Sequence, residues 1–145
     1  LDDIDHALLG LLRKTGRMSY RDRGIEVSLG ASATADRVKR LERIGVIAGY
    51  SAVIDPETIG RTLRAAVDVR LPADGDHEGF EAEMSQLDEV DLAAHVTGPF
   101  DYLILMSVAG VPRLDDIVRS WGRSFLAEAS TRILLHTVEL ANQPG

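Results

Sequence analysis

The chain has 145 residues, 45% apolar and 27% charged, with no cysteine and a formal net charge of −7. This is the balance of an ordinary globular chain of one domain or two small ones, which sets aside disordered, collagen-like and low-complexity classes. Disulfide scaffolds, cysteine-ligated zinc or iron–sulfur sites and thiol nucleophiles are excluded, and no apolar run nears the ~18–20 residues that span a bilayer. The expected compartment is the cytoplasm, and a first residue of Leu suggests a start just inside the natural N-terminus.

The opening segment LDDIDHALLGLLRK repeats apolar residues at three- and four-residue spacing, Ile4, Ala7, Leu8, Leu11 and Leu12, and predicts an amphipathic helix. Asp2 can cap it, Asp5 adds a carboxylate at the positive end of its dipole, and Gly16 is expected to stop it. A second short helix is expected from Ser19 to Val27, with Tyr20, Gly24 and Val27 on one side. Gly24 suits a place where two helices approach too closely for a side chain. Ser28-Leu29-Gly30 reads as a tight turn. The third helix, Ser32 to Arg43, turns Ala35, Val38 and Leu41 inward and shows Ser32, Ala33, Asp36, Arg37 and Arg40 outward, with Lys39 and Arg43 on its flanks. After Gly45, the alternating VIAGYSAVID suggests a short β-hairpin or wing, and PETIG a single helical turn leading into a hinge.

Charge is distributed unevenly. Residues 1–61 hold 10 Lys and Arg against 9 Asp and Glu, whereas residues 62–145 hold 6 against 14. Residues 13–43 alone carry 9 basic and 4 acidic side chains. On charge alone this is either an anion-facing module or a solvated helical face. Three short helices, a basic third one and a hairpin outline a winged helix-turn-helix, whose third helix enters the DNA major groove.

Beyond residue 61 the period changes to two. Leu63, Ala65, Val67, Val69 and Leu71 alternate with Arg64, Asp68 and Arg70. The polar loop PADGDHEG leads to a helix with Phe80, Met84 and Leu87. The strand VDLAAHVTG, the turn GPFD and the strand YLILMSVAG follow. A helix opening at Pro112 then turns Leu114, Ile117, Val118 and Trp121 inward, and STRILLHTVEL is the last strand. The order βαββαβ is the ferredoxin-like plan, so the fold class is α+β, with a DNA-binding unit and hinge in 1–61 and a second domain in 62–145. In the third strand Leu103 and Leu105 oppose Tyr102, Ile104, Met106 and Val108, and in the last Ile133 and Leu135 oppose Leu134 and Val138. Two helices cover one sheet face only, so the other is expected to be buried in an obligate dimer.

The segments LDDIDHALLGLLRKTGRMSY, DRVKRLERIGVIAGYSAVIDPETIG and VTGPFDYLILMSV, in this order, resemble the leucine-responsive/AsnC (Lrp/AsnC, feast/famine) transcription regulators across essentially the whole chain. The resemblance implies a winged helix-turn-helix on double-stranded DNA and a C-terminal ferredoxin-like (RAM) domain. It also implies dimers that assemble further, often into octamers, and an amino-acid effector with no cofactor or metal. It places the effector site at the Gly-x-x-Asp turn Gly98, Pro99, Phe100, Asp101, followed by Tyr102, with Ser130 and Arg132 added from a neighbouring subunit. By residue chemistry alone that turn is either a ligand cradle, with Asp101 for an α-ammonium group, or an ordinary hairpin turn.

Several positions depart from the family pattern. Arg23 stands where Leu is usual, Gly24 for a small apolar residue, Ser28 for Gly, Ala31 for Pro and Thr34 for Val, and FLAEAS replaces Pro-Gly-Val before the last strand. Either the second helix is loosened, or its register shifts so that Ile25 takes the buried place. No enzyme is expected: His6, His77, His95 and His136 are scattered, DGDHEG lacks the twelfth-position Glu of a calcium loop, and no nucleophile or phosphate-loop motif occurs. Sirohaem decarboxylases share this architecture, but their Trp-Pro-Tyr-Asn-like stretch has no counterpart here. The remaining alternatives are a DNA-architectural protein without effector and a ligand-sensing module with weakened DNA binding.

Overall fold

The computed structural model describes residues 1–15 and 17–141. They divide into two compact units. One comprises Leu1–Ile54 with the described residues from Val138 on; the other is Asp55–Thr137. The hinge residues 55–61 therefore cluster with the C-terminal half. Among the described residues no helix is long and apolar enough to cross a membrane.

The first unit is built on α1 (Asp3–Lys14), α2 (Tyr20–Val27) and α3 (Ala31–Arg43). Asp2 caps α1 in a full capping box. Its carboxylate accepts from the Asp5 backbone N–H at 2.9 Å, and the Asp5 carboxylate accepts from the Asp2 N–H at 3.2 Å. Leu8 is fully buried, and Ile4, Leu11 and Leu12 are half-buried. Ala7, expected inside, is exposed; the second buried position on α1 is Asp5. The expected stop at Gly16 lies outside the described residues, and Thr15 closes the helix.

A tight packing constraint against backbone lies between α2 and α3. A Cβ on Gly24 would stand 2.2 Å from the Leu29 carbonyl oxygen and 2.8 Å from Thr34 Oγ1. The backbone makes this approach to form its turn: Leu29 N donates to Gly24 O at 2.6 Å, and Ser28 takes a left-handed conformation at φ 60°. On α3 the buried residues are Thr34, Val38 and Leu41, while Ala35 is only half-buried. The Thr34 hydroxyl donates back to Gly30 O at 2.9 Å, so the core accepts it with its polar atom satisfied.

Two expectations for this unit are corrected. The second helix keeps its register: Arg23 is the buried residue at 5% exposure, and Ile25 is 65% exposed. The Arg23 guanidinium lies 5.5 Å from the Tyr20 ring centroid, so its stem packs and its head stacks. The hairpin expected over residues 46–55 is absent, since that segment has no strand. Alternation supplied a strand pattern without a partner strand, and a two-stranded ribbon on its own is marginal. Ile47 N bonds to Leu41 O, and Tyr50 Oη donates to Glu42 at 2.7 Å. Val46, Tyr50, Val53 and Ile54 remain exposed.

The second unit opens with a single 3-10 turn, Glu57–Ile59. It continues as β1 (Leu63–Arg70), α4 (His77–Met84), β2 (Val90–His95), β3 (Tyr102–Val108), α5 (Val111–Phe125) and β4 (Glu128–Ile133). The sheet is antiparallel in the order β2-β3-β1-β4. Val67, Val69, Ile104, Met106 and Val108 form its buried face with Phe80, Ile117 and Trp121. Helix α4 starts at His77, earlier than the polar loop implied, because the Asp76 carboxylate caps it by accepting from Gly79 N at 2.9 Å.

The last strand stops at Ile133, short of the expected 140. Leu135, Val138 and Leu140 lie beyond it and are exposed, and all six residues of β4 are exposed on the sheet edge. An edge strand packs on one neighbour only, so apolar sequence alone did not extend it.

Replacing Gly24 by Ala removes a helix glycine, which by propensity alone would stabilise by about 1 kcal/mol. The clash with backbone reverses the sign. A net loss of about 1–3 kcal/mol is expected. In chemical denaturation followed by residue-resolved NMR it should fall on residues 1–54 and leave 55–137 unchanged.

Candidate nucleic-acid interface and effector turn

Burial of Thr34, Val38 and Leu41 fixes which side of α3 faces water. Ser32, Ala33, Asp36, Lys39, Arg40 and Arg43 are all exposed on the opposite side. Three cations and a run of small residues at the N-terminal end give a surface that can approach a phosphate backbone closely. Asp36 is the single acid among them.

Arg37 is placed differently from the rest of the set. It lies on the border of the exposed face, and its Nη1 meets Asp2 Oδ2 at 2.7 Å, Asp2 Oδ1 at 2.8 Å and Asp5 Oδ1 at 3.2 Å. Arg40 Nη1 adds a looser contact to Asp5 at 3.8 Å. Arg37, one of the five outward-facing residues expected on α3, thus ties that helix to the capped end of α1. The signal was present in two places, the Asp2-x-x-Asp5 box and the surplus of cations in residues 13–43, but nothing in one dimension joined them.

The same unit has a cleft of about 750 Å³ between α1 and the segment 46–53, lined by Leu9, Leu12, Arg13, Val46, Tyr50 and Val53 among others. The alternating pattern of residues 46–55, which suggests a paired hairpin, carries no sign of it.

In the second unit the turn between β2 and β3 is held from several sides. Gly98 adopts φ +109°, a conformation that favours glycine. Asp101 N donates to Val69 O, Val96 N donates to Asp101 O, and Leu71 N donates to Asp101 Oδ2, each at 2.8 Å. One carboxylate oxygen is thus spent on the end of β1. The Phe100 ring lies 6.0 Å from the Arg70 guanidinium, which pairs with Glu128 on β4.

Tyr102, grouped with the turn by sequence, is instead a core side chain at 1% exposure, since strand alternation turns it to the helix-covered face. Its hydroxyl donates to Glu81 at 2.9 Å, and burial followed by that carboxylate holds the phenol protonated well above its usual range. His77 Nδ1 lies 3.0 Å from the same hydroxyl. The phenol has one proton and the carboxylate accepts it, so His77 Nδ1 donates. His95 stacks on Tyr102 at 4.7 Å and on His77 at 5.4 Å. The histidines read as scattered therefore include a pair brought together by the fold.

Ser130 and Arg132 sit on the sheet face opposite the helices, beside β1. Ser130 is in register with Asp68, and Arg132 pairs with Asp68 at 3.2 Å. Among the described residues both are thus joined to β1, and neither to the Gly98–Asp101 turn.

A basic helix-turn-helix unit joined to a ferredoxin-like unit defines a two-part DNA-binding regulator with a sensing domain. Residues 1–42 match the AsnC-type helix-turn-helix domain and residues 64–143 the Lrp/AsnC ligand binding domain. The chain is 32% identical over 137 residues to the HTH-type transcriptional regulator LrpA of Mycobacterium tuberculosis, covering 94% of this chain and 91% of that one. It is 36% identical over 106 residues to the leucine-responsive regulatory protein of Escherichia coli, covering 72% and 65%. The feast or famine regulatory protein of M. tuberculosis complexed with L-methionine superposes with a TM-score of 0.86 at 31% identity, covering 99% of this chain and 97% of that one. A Neisseria meningitidis transcriptional regulator in complex with L-Met gives 0.88 at 26% identity, covering 97% and 93%. The chain belongs to the Lrp/AsnC family. It is an effector-responsive, DNA-binding transcription regulator, and the relatives it matches are regulators rather than enzymes.

The Arg37 guanidinium holds the Asp2 carboxyl down to about 2, from an ordinary value of 3.8, with the Asp5 backbone N–H as the next cause. A carboxyl depressed in the folded state adds stability that is complete above the unfolded value and is lost as pH falls through the folded one. The first unit should therefore weaken as pH falls from about 4 toward 2. Side-chain carboxyl NMR titration should find Asp2 near 2 in the parent and back toward 3.8 in Arg37→Ala.

Proposed function

We propose that this chain binds double-stranded DNA sequence-specifically through α3, as a dimer, and that an amino acid at the Gly98–Asp101 turn shifts that binding. The observation that carries the first part is the division of α3 into a buried stripe, Thr34, Val38 and Leu41, and an exposed basic face. In this reading Ser32, Ala33, Asp36 and Arg40 face the base edges, and Lys39 and Arg43 meet phosphates. Asp36 disfavours some base pairs instead of adding affinity. The site of action is the cytoplasm, where the DNA is.

Self-association is supported by the uncovered face of the sheet. Leu92 and Ala94 of β2, Leu103 and Leu105 of β3 and Ala66 of β1 share that face by register, and Leu92 is half exposed. Toward β4 the same face becomes ionic, with Asp68–Arg132 and Arg70–Glu128 pairs. A second copy covers such a surface with apolar side chains against apolar ones. Assembly into octamers, which the family resemblance implies, would follow from further contacts between dimers.

For the effector, the turn offers backbone brought close by Gly98, an aromatic wall in Phe100 and the remaining oxygen of Asp101 for an α-ammonium group. Pro99 restricts the backbone between them. Tyr102 acts from beneath, by fixing the start of β3. L-Methionine, the amino acid bound in two of the related structures, is the first to try.

Lys39→Ala and Arg43→Ala should each weaken binding to any duplex about equally and lower the slope of log affinity against log salt by about 1. Fluorescence anisotropy across a salt series checks this, and unchanged slopes would remove both residues from the interface. Asp101→Asn keeps an acceptor for Leu71 N and removes the charge. It should abolish the response of DNA binding to L-methionine and the other standard amino acids while leaving binding without them intact. A response at unchanged amino-acid concentration would make the turn purely structural.

A further inference from the structure

We infer that Arg37 is a positioning residue, holding the recognition helix at a fixed angle to α1 through the Asp2–Asp5 box, and is not a reader of base edges. This rests on the proposed role of α3 in DNA binding. Three observations carry it. The guanidinium Nη1 lies within 2.7–3.2 Å of oxygens from both carboxylates, so one cation joins α3 to the first turn of α1. Its side chain is only 31% exposed, and Asp5 beneath it is buried at 5%, so swinging Arg37 out to DNA would leave that desolvated carboxylate with one oxygen unpaired and only the looser Arg40 contact for its charge. Finally, both acids are already fixed by the capping box, so the partner of Arg37 is rigid and preorganised.

The contact also places two negative charges beside a surface meant for phosphate. If charge alone mattered, removing them would strengthen DNA binding. If the contact sets the angle of α3, removing them weakens specific binding, because the exposed side chains no longer meet the base edges in register. The two accounts predict opposite signs for the same variant.

The variant is Asp2→Asn/Asp5→Asn. Asparagine caps a helix about as well as aspartate, and its amide oxygen can still accept from the backbone N–H groups of the box, so capping survives while the ion pairs are lost. Binding is measured by the full-length chain on two duplexes: the best one it selects from a randomised library, and a scrambled duplex of equal length. The temperature is kept far below the melting transition, where circular dichroism shows every variant folded. The expected result is at least about tenfold weaker binding to the selected duplex with scrambled binding within about twofold of the parent, so that the specificity ratio falls. Arg37→Met should give most of that loss, and the triple variant no more than the Asn pair, since the pair removes the Arg37 contact together with the looser Arg40–Asp5 one. Arg37→Lys should restore part of it.

Tighter binding by the Asn pair overturns the proposal. So does an Arg37→Met variant that loses discrimination at a single base pair while the Asn pair binds like the parent, for that is base reading. If the parent prefers no duplex, the proposed function fails instead, and the thermal double-mutant cycle between Arg37 and the two acids still decides this inference. Additive losses in melting temperature overturn the tie, and non-additive ones uphold it.

Discussion

Between α2 and α3 there is room for a hydrogen atom and not for a methyl group, and the DNA-facing half of the chain is arranged around that fact. With Gly24 against the Leu29 carbonyl, the turn of Ser28 to Gly30 closes tightly and α3 begins at Ala31. That start fixes which residues of α3 fall inside. Thr34 meets Gly24 and must be small, and its hydroxyl finds Gly30 O within its own helix. Everything exposed on α3 follows from this, because a helix with one stripe fixed has its remaining faces fixed as well. The tie from Arg37 to the head of α1 then adds a second point of attachment, and two points define an orientation where one allows a hinge.

The second unit solves a different problem. A four-stranded sheet has two faces, and α4 and α5 cover one with an aromatic core around Phe80, Tyr102 and Trp121. The other face is apolar over β2 and β3 and ionic over β1 and β4, so it is neither a solvated surface nor a complete core. Such a surface is stable when matched by another of its kind, where apolar side chains leave water together and the paired charges form a rim.

The turn from Val96 to Asp101 connects both edges of that arrangement. Its hydrogen bonds reach the end of β1 through Val69 and Leu71, and its next residue, Tyr102, reaches α4 through Glu81 and His77. Phe100 approaches Arg70, whose partner Glu128 opens β4. Under the proposed function, a small molecule held at Gly98–Asp101 would touch a backbone bonded to the end of β1, the strand that also places Ala66 and Asp68 on the uncovered sheet face.

The amino-acid sequence determined the type and order of the helices α1–α5 and of the strands β1–β4, since each rests on local period and on capping or turn residues: Asp2 and Asp5 for α1, Gly24 for the close approach, and alternation for β1 and β3. It also marked the basic face of α3 and the glycine–aspartate turn. Where an element depends on a neighbour, the sequence was insufficient. Residues 46–55 alternate like a hairpin without forming one, β4 ends at Ile133 because an edge strand lacks a second neighbour, and Ile25 stays outside while Arg23 is buried. The joining of Arg37 to Asp2, of His77 to His95 over Tyr102, and of Arg132 to Asp68 was decided only by tertiary structure. These contacts span from 18 to 64 residues along the chain, and an ion pair or stacked ring leaves no period in sequence by which to find its partner.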